Sequence, residues 1–213
     1  MSDLKSQLDG YAANIPAALA DRIAAGVAEV NAAGVAPGLA VGSIAPSFSL
    51  PDSTGEIVSL DTLLEHGPVV VTFYRGDWCP FCNLQLNELQ KSLGEIEAAG
   101  GRLVAISGQA PDHASGLTEK HALTFPVLSD LDQSVSAAYK VRFDLFGELE
   151  DLQVNVFQND PATQNANGQR TLPAASTFIV GQDHVVTFSS VDADWRNRVE
   201  PSVVVDALKA LQK

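Results

Sequence analysis

Cysteine is nearly absent from this chain of 213 residues: it occurs twice, as Cys79 and Cys82 in the stretch Trp-Cys-Pro-Phe-Cys. Two thiols in one turn cannot staple a small exported domain, so a disulfide framework is excluded. Positive charge is also scarce. Lys and Arg number 13 against 26 Asp and Glu, a formal net charge of −13. Such a field repels phosphate backbones and anionic lipid, which argues against nucleic acid and membrane surfaces as partners. Long apolar runs are missing as well: the most apolar stretch, Pro68–Phe73, is the size of a strand and too short to cross a bilayer. The opening residues mix Asp3, Lys5 and Asp9 and contain no apolar signal core, so the expected compartment is the cytoplasm. No glycine-rich phosphate loop and no internal repeat is found, and no cofactor is expected.

What is present reads as an ordinary globular composition, 46% apolar and 18% charged. Apolar residues at Leu4, Leu8, Tyr11, Ile15, Leu19, Ile23, Val27 and Val30 follow helical spacing, with Pro16 as the break between two helices. A connector rich in Gly and Pro (Gly34, Pro37, Gly38, Gly42, Pro46) then separates a helical extension, residues 1–40, from a domain of residues 41–213. That domain reads in order as a hairpin around Ser53–Gly55, a short helix with Asp61 as its candidate cap, and a buried strand Pro68–Tyr74. A helix running to Gly100–Gly101 follows, then a strand, a helix, a strand, a helix, a late hairpin about Gly181–Asp183, and a last helix opened by Pro201. This pattern predicts an α/β sandwich with a central sheet. Residues 142–170, polar and rich in Asn and Gln, are expected as a long insertion or lid-like loop.

The cysteine pair lies between a buried strand and an amphipathic helix. A helix start offers free N–H groups and the positive end of the dipole, both of which favour a thiolate. Pro80 suits the first helical position, which makes Cys79 the N-cap and sets Cys82 in the first turn. Trp78 can shield a thiol from water, and Arg75 is the nearest cation in sequence. A metal site is not expected, because none of His66, His113, His121 and His184 is spaced as a ligand partner of the cysteines.

These blocks, in this order, resemble the thioredoxin-fold peroxiredoxins, the alkyl hydroperoxide reductase/thiol-specific antioxidant proteins, in particular members that carry Cys-x-x-Cys. The resemblance rests on Gly42, Ala45, Pro46, Phe48 and Leu50 in the first hairpin, on Val69–Cys82, on Leu123–Val141, and on Leu172–Pro201. It implies a thioredoxin-like central mixed β-sheet flanked by helices, a small peroxide as substrate, a thioredoxin- or glutaredoxin-type reductant, and a homodimer. The helical N-terminal extension suits the same subgroup. Set against the peroxiredoxin motif, Arg75 takes the Pro position, Cys79 the Thr position and Cys82 the peroxidatic position. Set against thioredoxin, Cys79 is the attacking thiol and Cys82 the resolving one. Because an N-cap cysteine is expected to be the more exposed, this reading leans to Cys79. Before the late Ser176-Thr177-Phe178 the peroxiredoxins place a peroxide-binding Arg and thioredoxin-like relatives a cis-Pro. Here the residue is Ala175, with Pro173 two positions earlier, and Arg75, Arg170, Arg196 and Arg198 are the candidate substitutes, each of which also reads as a plain surface charge. The expected function is a thiol peroxidase. A thioredoxin-like protein disulfide oxidoreductase is the alternative, and a redox-sensing module without turnover is the third reading.

Overall fold

The computed structural model describes residues 3–212. Helices α1 (Leu4–Ala12) and α2 (Ala17–Ala33) come first, and a short hairpin of β1 (Ser49–Pro51) and β2 (Ile57–Ser59) follows. The chain continues through α3 (Leu60–Leu64), β3 (Val69–Phe73), α4 (Pro80–Lys91), α5 (Leu93–Ala98), β4 (Arg102–Ser107), α6 (Pro111–His121), β5 (Val127–Ser129) and α7 (Ser134–Ala138). Next come β6 (Arg142–Asp144), α8 (Gly147–Asp151), a π-helical turn over Leu152–Val156, α9 (Pro161–Gln164) and β7 (Thr171–Pro173). The chain closes with β8 (Ala175–Val180), β9 (Val186–Asp192) and α10 (Pro201–Ala210).

Five strands form the central sheet in the order β5-β4-β3-β8-β9. β3 pairs parallel with β4 and antiparallel with β8, so the sheet is mixed and β3 is its middle strand. All five residues of β3 are buried, as expected for a β-branched strand covered on both faces. Alternation splits the core. Val70 faces one hydrophobic cluster with Ala105 and Ile179, while Val69, Val71 and Phe73 face the other with Val104, Ile106 and Phe178.

The extension divides where expected. Pro16 is the N-cap of α2, and Gly34 ends that helix in the left-handed conformation. Leu4, Leu8, Ile23, Val27 and Val30 are buried in the same cluster as both cysteines, so the extension shares the core on the cysteine-bearing face of the sheet. Burying each such side chain contributes about 1.5–3 kcal/mol. Gly26 is the point of closest approach. A Cβ there would lie 2.5 Å from Leu149 Cδ2, so only glycine lets α2 sit against α8.

Three local expectations are corrected. Ser59, not Asp61, is the N-cap of α3, and Asp61 lies in its first turn. The helix after the cysteines stops at Lys91, and Ser92 serves as the junction to α5, so the apolar stripe Leu86, Leu89, Leu93, Ile96 spans two helices. Residues 142–170 are not an irregular loop. They carry β6, α8, the π-turn and α9, and β6 pairs antiparallel with β7 just beyond them. Buried Leu149, Leu152 and Gln153 bind this segment to the body of the protein.

Candidate active site

β3 ends in the middle of the sheet, and the chain leaves its carboxyl end as the loop that carries the cysteines. That is where ligand chemistry concentrates in α/β sheets. Cys79 is the N-cap of α4 and Pro80 opens the helix, as the sequence predicts. The loop is tied down by polar contacts. Asp77 N–H donates to Gln109 Oε1 at 2.7 Å, Gln109 Nε2 returns to Asp77 Oδ1 at 2.8 Å, and Asn83 Nδ2 donates to the Asp77 carbonyl at 2.9 Å. His113 Nδ1 lies 3.2 Å from Asp77 Oδ2, so this histidine braces the loop and is no bare surface residue.

The expected difference in exposure between the cysteines does not exist. Cys79 is 1% exposed and Cys82 is fully buried, because the extension and Trp78 cover the helix start. Their electrostatic surroundings differ instead. The Cys82 sulfur accepts from Arg198 Nη2 at 3.2 Å and from the Arg75 backbone N–H at 3.5 Å. It also accepts from the Cys79 thiol. Burial pushes the Cys82 thiol up, but the bond from Cys79, the charge of Arg198, the Arg75 N–H and the Arg75 charge together bring it down to about 5. Cys79 moves the other way. Burial, its hydrogen bond to Cys82 and the Cys82 charge hold it well above its ordinary value, against the opposing pull of Arg75 and Arg198. The surroundings therefore favour a negative charge on Cys82 over one on Cys79.

Arg75 is buried at 6% exposure and stacks between two indoles. Its Cζ lies 5.0 Å from the Trp78 ring centre and 4.4 Å from that of Trp195. Its Nη2 donates to Gln153 Oε1 at 2.8 Å, and Gln153 Nε2 donates to the Asn159 carbonyl at 2.9 Å. Burial lowers the Arg75 pKa while the two cysteines raise it. Of the four candidate cations, Arg75 and Arg198 converge on the pair. Arg170 is engaged by Asp160 and Glu150, and Arg196 by Asp194. Trp195, Gln153, Asp77 and Gln109 were not singled out in the sequence, and His113 was weighed only as a metal ligand. The one signal available was Ala175 where the resembled family has Arg: a thiolate site without that cation needs another from elsewhere.

Two cavities flank the pair. One, of about 710 Å³, is lined by Cys79 and walled by Ile15, Leu19 and Ile23 of the extension with Trp78, Phe81 and Trp195. The other, of about 160 Å³, is polar and contains Arg198, Gln85, Ser176 and Ala175. Among the described residues no group of three His, Cys, Asp or Glu is arranged to hold a metal ion, and no helix is long and apolar enough to cross a membrane.

Comparison with known proteins agrees with this geometry. The model of the AhpC/TSA family matches residues 41–189. Peroxiredoxin Q, chloroplastic, of Gentiana triflora is 34% identical over 123 residues, 58% of this chain and 56% of its own length. Peroxiredoxin Bcp of Escherichia coli is 39% identical over 103 residues, 48% of this chain and 65% of its own length. The chain thus spans less than two thirds of these curated relatives. Among solved structures, peroxidoxin BcpB from Mycobacterium tuberculosis superposes with a TM-score of 0.64 at 22% identity, covering 81% of this chain and 98% of that one. Xanthomonas campestris peroxiredoxin Q gives 0.60 at 21% identity, over 78% and 92%. The expected thioredoxin-like sandwich with a mixed central sheet is the observed fold.

Proposed function

This chain belongs to the AhpC/TSA family, and from that premise we propose that it is a thiol-dependent peroxidase in which Cys82 attacks and Cys79 resolves. The observation that carries the assignment is the Arg198 guanidinium 3.2 Å from the Cys82 sulfur, joined by the Arg75 N–H. Both favour a thiolate, the nucleophilic form. The Cys82 thiolate attacks one oxygen of the peroxide O–O bond. That bond breaks, the distal oxygen leaves as water or an alcohol after taking a proton, and Cys82 becomes a sulfenic acid. The Cys79 thiol then condenses with it, water leaves, and a Cys79–Cys82 disulfide forms. An external thiol restores the pair by two exchange steps. Hydrogen peroxide and organic hydroperoxides are the substrate class.

Arg75, Trp78 and Pro80 support this chemistry: Pro80 starts the helix, and Arg75 is held between the indoles beside the sulfurs. The lean towards Cys79 as nucleophile is given up, because it rested on an exposure that Cys79 lacks. The cytoplasmic compartment and the homodimer stand as parts of this proposal. Size measurement in solution tests the dimer. The alternative, a protein disulfide oxidoreductase, draws on Cys79 lining the larger cavity.

One experiment separates the readings. Fully reduced protein is mixed with one equivalent of peroxide, and thiol loss is followed beside an insulin-reduction assay. The proposal expects fast loss of both thiols in the wild type. Cys79→Ser should keep the fast step and hold a sulfenic acid at Cys82, and Cys82→Ser should lose it. Insulin activity without fast thiol loss would establish the oxidoreductase instead, and slow loss in both assays a sensing module.

A further inference from the structure

The larger cavity lies beside the cysteine that does not attack. Cys79 lines it, whereas Cys82 does not. In the reduced protein Cys79 is the protonated partner, so nothing electrophilic is drawn to that wall. In the oxidised protein Cys79 is one half of a disulfide, and a disulfide sulfur is attacked by nucleophiles. The direction of that attack follows from the leaving group, since the better-stabilised thiolate departs faster. Arg198 Nη2 and the Arg75 N–H stand ready at Cys82, so Cys82 is the better leaving sulfur and Cys79 the one attacked. Cavity and leaving-group geometry select the same atom.

We propose that this cavity is the seat of the reductant, that Cys79 is the sulfur the reductant attacks, and that the occupant is a low-molecular-weight thiol with an apolar body. The inference rests on the peroxidase reading above and names its reductant. The incoming thiolate bonds to Cys79 as the Cys79–Cys82 bond breaks, and Cys82 leaves as the thiolate. A second thiol then attacks the bound reductant sulfur, releases the small disulfide and returns Cys79 to the thiol after taking up a proton.

Three features fix the size and character of the occupant. The volume, about 710 Å³, lies in the range that holds small organic molecules. Cys79 is only 1% exposed, which favours a ligand small enough to enter the cavity over the surface of a folded reductant. Three of the apolar walls, Ile15, Leu19 and Ile23, belong to α2 and the turn before it, and these residues precede the matched family region. Arg75, Gln153 and Asn159 form a polar end suited to a ligand's head group.

The test uses the reductive half-reaction alone. Full-length protein is oxidised with diamide, so the disulfide forms whether or not the protein is a peroxidase. Benzyl mercaptan, mercaptoethanol and reduced thioredoxin are then compared by rate constant per thiolate, and the mixed disulfide is quenched with acid and mapped. Burial of the benzyl group should make benzyl mercaptan at least about tenfold faster than mercaptoethanol. It should also outrun thioredoxin, with the adduct on Cys79. Leu19→Trp, which fills the cavity, should abolish the preference for the benzyl thiol. An adduct on Cys82, a faster thioredoxin, or a preference that survives in a folded Leu19→Trp protein would each overturn the proposal. If Leu19→Trp does not fold, Ile15→Phe and the wild-type comparison decide. The peroxide reaction measured separately shows whether the peroxidase reading fails on its own.

Discussion

Replacing Arg198 by Met removes the cation beside Cys82 and keeps most of the apolar stem. The lost contact is a hydrogen bond from a charged donor at 3.2 Å, of a kind that contributes about 1.5–3 kcal/mol. At about 1.4 kcal/mol per pKa unit, that converts to an upward move of about 1–2 units. The Cys82 midpoint should therefore rise from about 5 to about 6–7, still below the value of about 8.5 for a free cysteine. The residual depression comes from the Arg75 N–H, the Cys79 hydrogen bond and the Arg75 charge. The assay is the rate of alkylation against pH, measured in a Cys79→Ser background so that one thiol reports and a hydroxyl donor remains beside it. The same variant should lose peroxide reactivity most severely at acid pH, where its thiolate is depleted and that of the wild type is not. A midpoint that stays in place would show that Arg198 does not stabilise the thiolate, and a wild-type midpoint near the free-cysteine value would remove the basis for assigning Cys82.

The wild-type rate of peroxide reaction should be flat from about pH 6 to about pH 8 and fall as the pH drops through the Cys82 midpoint, since deprotonation supplies the nucleophile; stopped-flow kinetics across that range check it. Gln153→Leu strands the buried Arg75 Nη2 without its acceptor, a loss of about 1–3 kcal/mol, and should lower Tm by several degrees in a thermal melt. Gly76→Ala should destabilise the cysteine loop and change the alkylation rate, because the new Cβ would lie 2.3 Å from Trp78 Nε1 and push the indole off Arg75. Ile23→Ala, at a buried position of the extension, should cost about 2–5 kcal/mol in denaturant unfolding.

The strand and helix around the cysteines were legible in the sequence because their signals are local. Val69–Phe73 is an uninterrupted buried run, and Pro80 pins the first turn of α4. Ala175, standing where the resembled family has Arg, said that a cation had to be found elsewhere. It could not say which, because Arg198 is 116 positions from Cys82 and lies in an irregular stretch with no periodicity to read. Residues 142–170 were misread for a related reason. Their elements are short, and the side chain that matters, Gln153, is polar and buried, the combination that composition assigns to a loop. The exposure of Cys79 was misjudged because an N-cap is usually open, and here α1 and α2 fold back over it.

The stacking of Arg75 between Trp78 and Trp195 has an optical consequence. These are the two tryptophans of the chain, and both lie against one guanidinium beside the cysteines. Every photon of indole emission therefore originates next to the reacting sulfurs. Conversion of the Cys82 thiolate to a sulfenic acid and then to a disulfide removes a negative charge close to both rings, and the emission should change at each step. The protein thus carries its own reporter, and the proposed cycle can be tested in real time with no dye attached.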